Sequence, residues 1–322
     1  MPLSRNVDIR NPCQDKQKAH SVMKNKNLKM ILLTLVVMAL WGSIFPFIKL
    51  GYQAFHINAD SIPDILMFAS VRFIVSGLIV CGYSLIRREK MAVPRKRQIF
   101  NIAIAGLFSI VLHYAFMYIG ISTTDSSETA LIKQLGVLIY VCFAFLFFKD
   151  EKFCILKILG AIIGFAGIVA INYSPDGISF STGDILIIMA SFCTVISNVI
   201  TKKTVSGSSP FWVTGISQLS GGLILLVAAL CMGAKFPVFT LQSTLVFAYI
   251  CTASIAGYTL WYYILKHDSL SKMFIIKSSE PLFACVFGAL LLGENILKIQ
   301  YLIAFILITV GILLGNKSEK KL

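Results

Sequence analysis

The stretch MFIIKSSEPLFACVFGALLLGE, residues 273–294, places Lys277 and Glu280 inside an otherwise apolar run. About 20 such residues are enough for an α-helix to cross a bilayer. A charge at that depth costs at least about 2.5–3.5 kcal/mol on insertion scales. We therefore interpret this lysine and this glutamate as candidates for a functional site.

Apolar runs of the same length recur along the whole chain. Of its 322 residues 57% are hydrophobic and only 14% are charged, whereas about a quarter are charged in a soluble domain. The pattern predicts an all-α integral membrane protein with ten transmembrane helices. We place these spans near residues 29–50, 63–86, 98–120, 126–148, 156–172, 184–201, 211–233, 243–265, 271–292 and 299–315.

The net charge of +14 is distributed unevenly among the predicted loops. Most Lys and Arg residues fall in the tails 1–28 and 316–322, in the loop RREKMAVPRKR (residues 87–97) and in other loops on the same side. The positive-inside rule therefore predicts a multi-pass protein of the cell membrane with both termini in the cytoplasm. We interpret the basic tail as a topology signal or a contact with membrane lipids, not as a nucleic-acid site.

The chain repeats itself at an offset of 144 positions. Residues 113–168 then lie over residues 257–312 without a gap, and twelve of the 56 positions are identical. The segment LIKQLGVL (131–138) lies over IIKSSEPL (275–282), so that Lys133 is in register with Lys277. An intramembrane lysine that recurs in register indicates an internal duplication.

The duplication predicts two five-helix repeats, residues 29–172 and 184–315, joined by an extracytoplasmic linker at 173–183. Because five is an odd number, the second repeat must enter the membrane in the opposite direction to the first. Transporters with such inverted repeats hold their substrate near the membrane midplane, between the two halves.

The order of several motifs resembles the drug/metabolite transporter superfamily, specifically its EamA-type ten-helix members. The resemblance rests on ALWGSIFPFIK (39–49) and SVRF (70–73) in the first half, and on EPLFACVFGALLLGE (280–294) in the second. It implies alternating-access transport of a small molecule. The family's proline in span four is absent, since Gly136 and Val137 stand where the second half has Glu280 and Pro281.

Lys133 and Lys277 are predicted to straddle the midplane, one slightly outward and one slightly inward. Two ammonium groups could hold a carboxylate or a phosphate. In the related sugar-phosphate translocators basic residues on these helices hold phosphate, which by resemblance implies the same role for the two lysines. Ser278 stands where that branch has an arginine. Glu280 lies three residues after Lys277, either as a neutralising partner or as a switch released by substrate or a proton.

Two tyrosine pairs and an arginine complete the polar candidates. Tyr114 and Tyr118, like Tyr258 and Tyr262, are four residues apart and share a helix face. We expect Tyr114 and Tyr258 to line the cavity, whereas Tyr118 and Tyr262 either line it or form an interfacial aromatic belt. Arg72 interrupts span two, and either pairs internally, snorkels or contributes to a gate.

Three further features concern helix shape and packing. Trp41 is a candidate cavity wall, with plain packing as the alternative. Pro46 and Pro281 are predicted to break or kink their helices. Gly160 and Gly164 form a G-x-x-x-G motif that predicts close helix packing.

These features favour a secondary transporter that exports or exchanges a small polar metabolite, coupled to protons, to a counter-substrate or to neither. No Walker A motif is present, and no H-E-x-x-H or G-x-S-x-G motif indicates an enzyme. Eight scattered cysteines without C-x-x-C predict no metal site, and we expect no cofactor. A lipid flippase is the main alternative. Ten helices can enclose a site in one chain, so a monomer and a homodimer are both compatible.

Overall fold

The structure, a computed structural model, describes residues 12–86, 96–146, 155–171, 173–174, 177–178, 180–205, 208–267 and 276–317. These residues form ten helical segments. The first half contains α1 (Pro12–Ala54), α2 (Ile62–Ile86), α3 (Lys96–Gly106) continuing through a π-helix (Leu107–Leu112) into α4 (His113–Thr123), α5 (Ser126–Phe143) and α6 (Ile155–Ile171). The second half contains α7 (Thr182–Val205), α8 (Pro210–Cys231), α9 (Leu241–His267), α10 (Glu280–Leu292) and α11 (Ile299–Lys317).

Six of these segments are long and apolar enough to cross a membrane. They are Leu28–Ala54, Ile62–Ile86, Lys96–Thr123, Thr182–Lys202, Pro210–Cys231 and Leu241–His267. Helices 155–171, 280–292 and 299–314 are apolar but shorter. The remaining segment, α5, carries Glu128 and Lys133 in its first half. The chain is therefore a multi-pass membrane protein.

The ends of the chain and the link between its halves differ in detail from the sequence prediction. The helix α1 begins at Pro12, inside the predicted tail 1–28, while residues 1–11 and 318–322 lie outside the described part. The predicted linker 173–183 contains a small antiparallel hairpin in which Tyr173 faces Ile178 and Ser174 faces Gly177. Within the described residues, this hairpin is the one β-sheet in an otherwise α-helical fold.

The helix α10 begins in the middle of a predicted span. Ile276 and Lys277 are helical, and a turn at residues 278–279, with a hydrogen bond from Ser279 N–H to the Ile276 carbonyl (2.9 Å), separates them from the next helix. The helix proper starts at Glu280, with Pro281 in its first turn, where a missing N–H is tolerated. Its 13 residues extend about 20 Å, short of the ~30 Å hydrocarbon core.

The equivalent helix of the first half is not interrupted in this way. The helix α5 runs unbroken from Ser126 to Phe143, through Gly136 and Val137. The helix α1 also remains helical across Pro46. The two halves therefore differ in helix continuity at the level of the intramembrane charges.

Glycines bring helices into backbone contact at several crossings. A Cβ on Gly311 of α11 would lie 2.5 Å from the Gly160 carbonyl oxygen and 2.9 Å from the Gly164 backbone nitrogen of α6. A Cβ on Gly77 of α2 would lie 2.5 Å from the Leu219 backbone nitrogen of α8. In lipid, no hydrophobic effect drives helices together. Dispersion contacts at such close crossings stabilise their packing instead. The predicted packing role of the G-x-x-x-G motif is thus seen at the contact of α6 with α11.

We predict that Gly311→Ala lowers the melting temperature of the detergent-purified protein, because α6 and α11 must separate to admit the methyl group. Overpacking of this kind costs about 1–3 kcal/mol. Gly82→Ala in α2 is the matched control, since no atom lies within 4 Å of its added Cβ. Equal melting temperatures for the two variants, measured by differential scanning fluorimetry, would contradict the importance of this crossing.

Candidate functional site

A small cavity of about 40 Å³ lies between the two halves of the chain. Its volume suffices for a few water molecules. Residues of α1, α4, α5, α7 and α9 line it, together with the turn before α10 and the π-helix. They are Trp41, Ser109, His113, Tyr114, Lys133, Thr194, Ser197, Asn198, Tyr258, Trp261, Tyr262 and Lys277.

Both intramembrane lysines reach this cavity and approach the same tryptophan. The Lys133 Nζ atom lies 5.9 Å from the centre of a Trp41 ring, and the Lys277 Nζ atom lies 5.6 Å from it. A second ring supports each ammonium group, Phe45 at 5.0 Å for Lys133 and Trp261 at 5.1 Å for Lys277. Cation–π contacts of this kind are worth about 0.5–2 kcal/mol each. The lysines of the two halves thus share one aromatic wall.

Glu280 forms an ion pair that the sequence spacing did not predict. Its Oε1 atom accepts a hydrogen bond from Lys133 Nζ at 3.0 Å, across a sequence separation of 147 residues. Both side chains are largely buried, with exposures of 12% for Lys133 and 1% for Glu280. Lys277, four per cent exposed, also lies within electrostatic range of Glu280 and Lys133. The spacing predicted Lys277 as the partner of Glu280, whereas the hydrogen-bonded ion pair joins Glu280 to Lys133 of the other half.

The tyrosines predicted to line the cavity do so. The Tyr258 hydroxyl donates to the Tyr114 hydroxyl at 3.1 Å, so one tyrosine from each half closes a side of the cavity. Tyr262 also lines it, with its ring centre 5.7 Å from that of Tyr258. Tyr118 is completely buried away from the cavity, beside Arg72.

Arg72 lies behind Tyr114, in a setting of hydroxyl groups and aromatic rings. Its guanidinium donates to the Tyr118 hydroxyl, and its Nε and Nη2 atoms donate to Ser254 Oγ at 2.9 Å and 2.5 Å. The charge lies 4.5 Å from the Phe73 ring centre and 5.2 Å from that of Tyr114. Arg72 is fully buried, so internal pairing, not snorkelling, describes it. Among the described residues, none of its partners is a carboxylate.

Sequence reasoning missed the histidine of the cavity. His113 follows the π-helix directly, and its Nδ1 atom lies 2.9 Å from the Ala190 carbonyl oxygen and 3.0 Å from Thr194 Oγ1. A lone histidine carries no local signal of a site, and the position in register with it holds Gly257. That glycine itself makes room for the cavity wall, because a Cβ there would lie 2.5 Å from Trp41 Nε1.

The arrangement can bind an anion. Two ammonium groups and one carboxylate give the charged part of the site a net charge of +1, in surroundings that exclude most water. Within the described part of the chain, no three His, Cys, Asp or Glu side chains come together as a metal site would require. The site therefore offers charge, hydrogen-bond donors and aromatic surfaces.

Comparison with known proteins identifies the group to which this architecture belongs. A family model described as "EamA-like transporter family" matches residues 28–173 and again residues 181–316. The chain is 26% identical over 282 residues to the uncharacterized inner membrane transporter YedA of Escherichia coli strain K12, covering 84% of this chain and 88% of that protein. It is 24% identical over 294 residues to the uncharacterized transporter YvbV of Bacillus subtilis, covering 90% and 92%.

Two more distant likenesses agree with these. The WAT1-related chloroplastic protein At3g02690 of Arabidopsis thaliana is 26% identical over 266 residues, covering 78% of this chain and 62% of that protein. A solved crystal structure superposes with a TM-score of 0.64 at 16% identity, covering 91% of this chain and 98% of its own, which shows a shared fold. Because the family model matches both halves, the chain belongs to the EamA-like transporter family and has the general role of a membrane transporter.

Proposed function

We propose that the chain is a secondary transporter that moves a small metabolite with an anionic group by alternating access, as an exporter or an exchanger. The two segments matched by the family model, 28–173 and 181–316, support the assignment of two five-helix repeats at 29–172 and 184–315. The offset of 144 positions and the ten helical segments support an inverted relation between them. The positive-inside pattern supports cytoplasmic termini.

The observation that carries the proposal is the meeting of Lys133 and Lys277 at Trp41. They come from equivalent positions of the two halves, and one cavity receives both ammonium groups. Such a site sits where transporters with inverted repeats hold their substrate. Because its net charge is +1 with Glu280 ionised, a substrate with a single negative charge would neutralise it.

The lining of the cavity supports a small substrate with a planar or aromatic part. Tryptophan and tyrosine rings form much of the wall, while hydroxyl, amide and imidazole groups supply hydrogen bonds; the rings belong to Trp41, Tyr114, Tyr258, Trp261 and Tyr262. A cavity of about 40 Å³ holds only a few water molecules, so the lining helices must separate to admit a metabolite. The charged and hydrogen-bonding side chains of this lining favour a polar metabolite over the membrane lipid that a flippase would move.

Glu280 supplies the means of release in this proposal. Its carboxylate compensates Lys133 at 3.0 Å, which avoids an unpaired charge in an apolar bundle. The carboxylate of an incoming substrate displaces Glu280 from the lysines. Glu280 pairs with Lys133 again when the substrate leaves. The turn at residues 278–279 breaks the helix between Lys277 and Glu280, and transporters with inverted repeats bind substrate at such helix breaks.

We predict that Lys277→Ala weakens binding of the site's anionic ligand about 10- to 150-fold, the loss of one charge-assisted hydrogen bond. A thermal-shift screen of carboxylates, sugar phosphates, amino acids and polyamines identifies the ligand, since a molecule that binds the folded state raises its melting temperature. Isothermal titration then compares the variant with Lys235→Ala, an exposed lysine outside the cavity. Stabilisation by a neutral or cationic ligand that persists in Lys277→Ala would contradict an anion site.

We also predict that Glu280→Gln tightens binding of the same anion several-fold and slows its exchange across the membrane. The substitution leaves both ammonium groups without their carboxylate, which raises the site's net charge to +2 and removes the group that displaces the substrate. Binding and counterflow measured on reconstituted protein check both parts. Weaker binding with unchanged exchange would show that Glu280 contacts the substrate directly and does not compete with it.

A further inference from the structure

A second ionic cluster lies at the end of the bundle where α1 ends and α5 begins. The Lys49 Nζ atom is 3.9 Å from Asp125 Oδ1 and 3.8 Å from Glu294 Oε1, and Lys298 Nζ is 3.2 Å from Asp125 Oδ2. Lys49 and Asp125 belong to the first half of the chain, whereas Glu294 and Lys298 belong to the second. In the proposed orientation this end faces the outside of the cell.

Glu294 is the member of the cluster that contacts a helix backbone. Its Oε1 accepts a hydrogen bond from Ser126 N–H at 2.8 Å, and its Oε2 accepts from Ser127 N–H at 3.1 Å and Ser127 Oγ at 2.7 Å. The side chain is 7% exposed. A carboxylate from the second half thus caps the N-terminus of α5 in the first half, where it is favoured by unpaired N–H groups and the helix dipole.

Two glycines bring Glu294 to this position. Gly293 ends α10 with a positive φ of 66°, a backbone conformation that favours glycine. The Glu294 N–H bonds back to the Gly288 carbonyl at 3.2 Å, which turns the chain toward α5. A Cβ on Gly288 would lie 2.7 Å from Glu294 Oε2 and 3.1 Å from Ser127 Oγ. Gly293 therefore allows the turn, and Gly288 leaves room for the Glu294 carboxylate.

The sequence of the first half lacks this combination. At the offset of 144, positions 144, 149 and 150 correspond to 288, 293 and 294, and they hold Ala, Lys and Asp. Positions 149 and 150 lie outside the described residues, so the comparison is one of sequence alone. At these aligned positions, the two glycines therefore occur in the second repeat and not in the first.

The same two helices meet at the substrate site. Ser127 and Lys133 are about 9 Å apart along α5, at 1.5 Å per residue, and α10 runs from Glu280 to the turn before Glu294. Lys133 pairs with Glu280 at one level, and Ser127 pairs with Glu294 at the other. α5 and α10 are therefore joined at both levels, and separating them at the α1 end would break the contacts of Glu294.

We propose that Glu294 is the latch that holds this extracytoplasmic end closed, and that its release from α5 is needed for the substrate site to open outward. This rests on the proposed function, since it assumes alternating access. An ordinary helix cap would stabilise every conformation alike, whereas a latch stabilises only conformations closed at its own end. The two roles therefore predict different effects on access from the two sides of the membrane.

The test measures access to the cavity without any substrate. Ser109→Cys places a thiol in the cavity lining, in full-length protein in sealed right-side-out and inside-out membrane vesicles. A charged, membrane-impermeant maleimide is added, and labelling at position 109 is followed by peptide mass spectrometry, which separates it from the native cysteines. In this background, Glu294→Gln is compared with Asp60→Asn, which neutralises an exposed acid in the loop between α1 and α2.

We expect Glu294→Gln to raise the labelling rate from the outside roughly tenfold, the effect of losing one good cap. Labelling from the cytoplasmic side should fall, because molecules that open outward leave the inward-open population. Asp60→Asn should change neither rate. If the two sides are exchanged, the latch stands and the proposed orientation is wrong.

Faster labelling from both sides would show a merely loosened protein, and unchanged labelling would show no role in access; either result overturns the latch. If Glu294→Gln does not fold, Lys49→Met removes the ion pairs of Lys49 with Glu294 at 3.8 Å and with Asp125 at 3.9 Å but leaves the hydrogen bonds of Glu294 to α5. It should shift both rates in the same directions by a smaller factor. If the unmodified protein binds no anion, the proposed substrate class is wrong. The labelling result would still test the latch, because it is measured without substrate.

Discussion

The compensation of buried charge inside an apolar bundle is the constraint on which the site depends. An ammonium group at the centre of a membrane protein is tolerated only where carboxylates, hydroxyls or aromatic faces replace its water. Lys133 meets this condition through Glu280 and Phe45, and Lys277 lies between Trp41 and Trp261. Because these partners come from both halves of the chain, the site exists only when the halves are assembled.

Arg72 is another buried positive charge, and hydroxyl groups and aromatic rings compensate it. Its guanidinium is held by the hydroxyls of Tyr118 and Ser254 and by the rings around it. These contacts spread a positive charge over several weak acceptors. Tyr114 separates this region from the cavity and at the same time accepts a hydrogen bond from Tyr258. Tyr114 therefore packs against the cavity on one side and against the buried Arg72 on the other.

Helix continuity and glycine contacts determine how such a bundle could move. The interruption before Glu280 leaves α10 as a short helix with a carboxylate near each end, Glu280 paired with Lys133 of the cavity wall and Glu294 just beyond the C-terminus. Its counterpart in the first half, α5, is an uninterrupted helix, and both Glu280 and Glu294 contact it. By contrast, α6 and α11 are locked by backbone contact at Gly160 and Gly311. In our proposals, motion therefore concentrates where α5 meets α10.

Local pattern was sufficient to predict much of this protein. Each of the ten helical segments in the described residues overlaps an apolar run seen in the sequence, and the family match confirms the membrane-transporter class that the motifs indicated. The internal repeat singled out Lys133 and Lys277 because a charged residue recurring in an apolar context is visible without coordinates. Tyr114 and Tyr258 were predicted to line the cavity for a related reason, and both do.

Hydrophobic periodicity and repeat register are local properties, so the amino-acid order was enough to indicate the class of the fold and the charged residues of interest. Their partners became visible only once the helices were packed together. The pairing of Glu280 with Lys133 spans 147 residues, and that of Glu294 with Ser127 spans 167. The place of His113 in the cavity wall was equally invisible. Such contacts follow from how helices cross and how closely glycines let them approach, and no pattern along a single helix records that geometry.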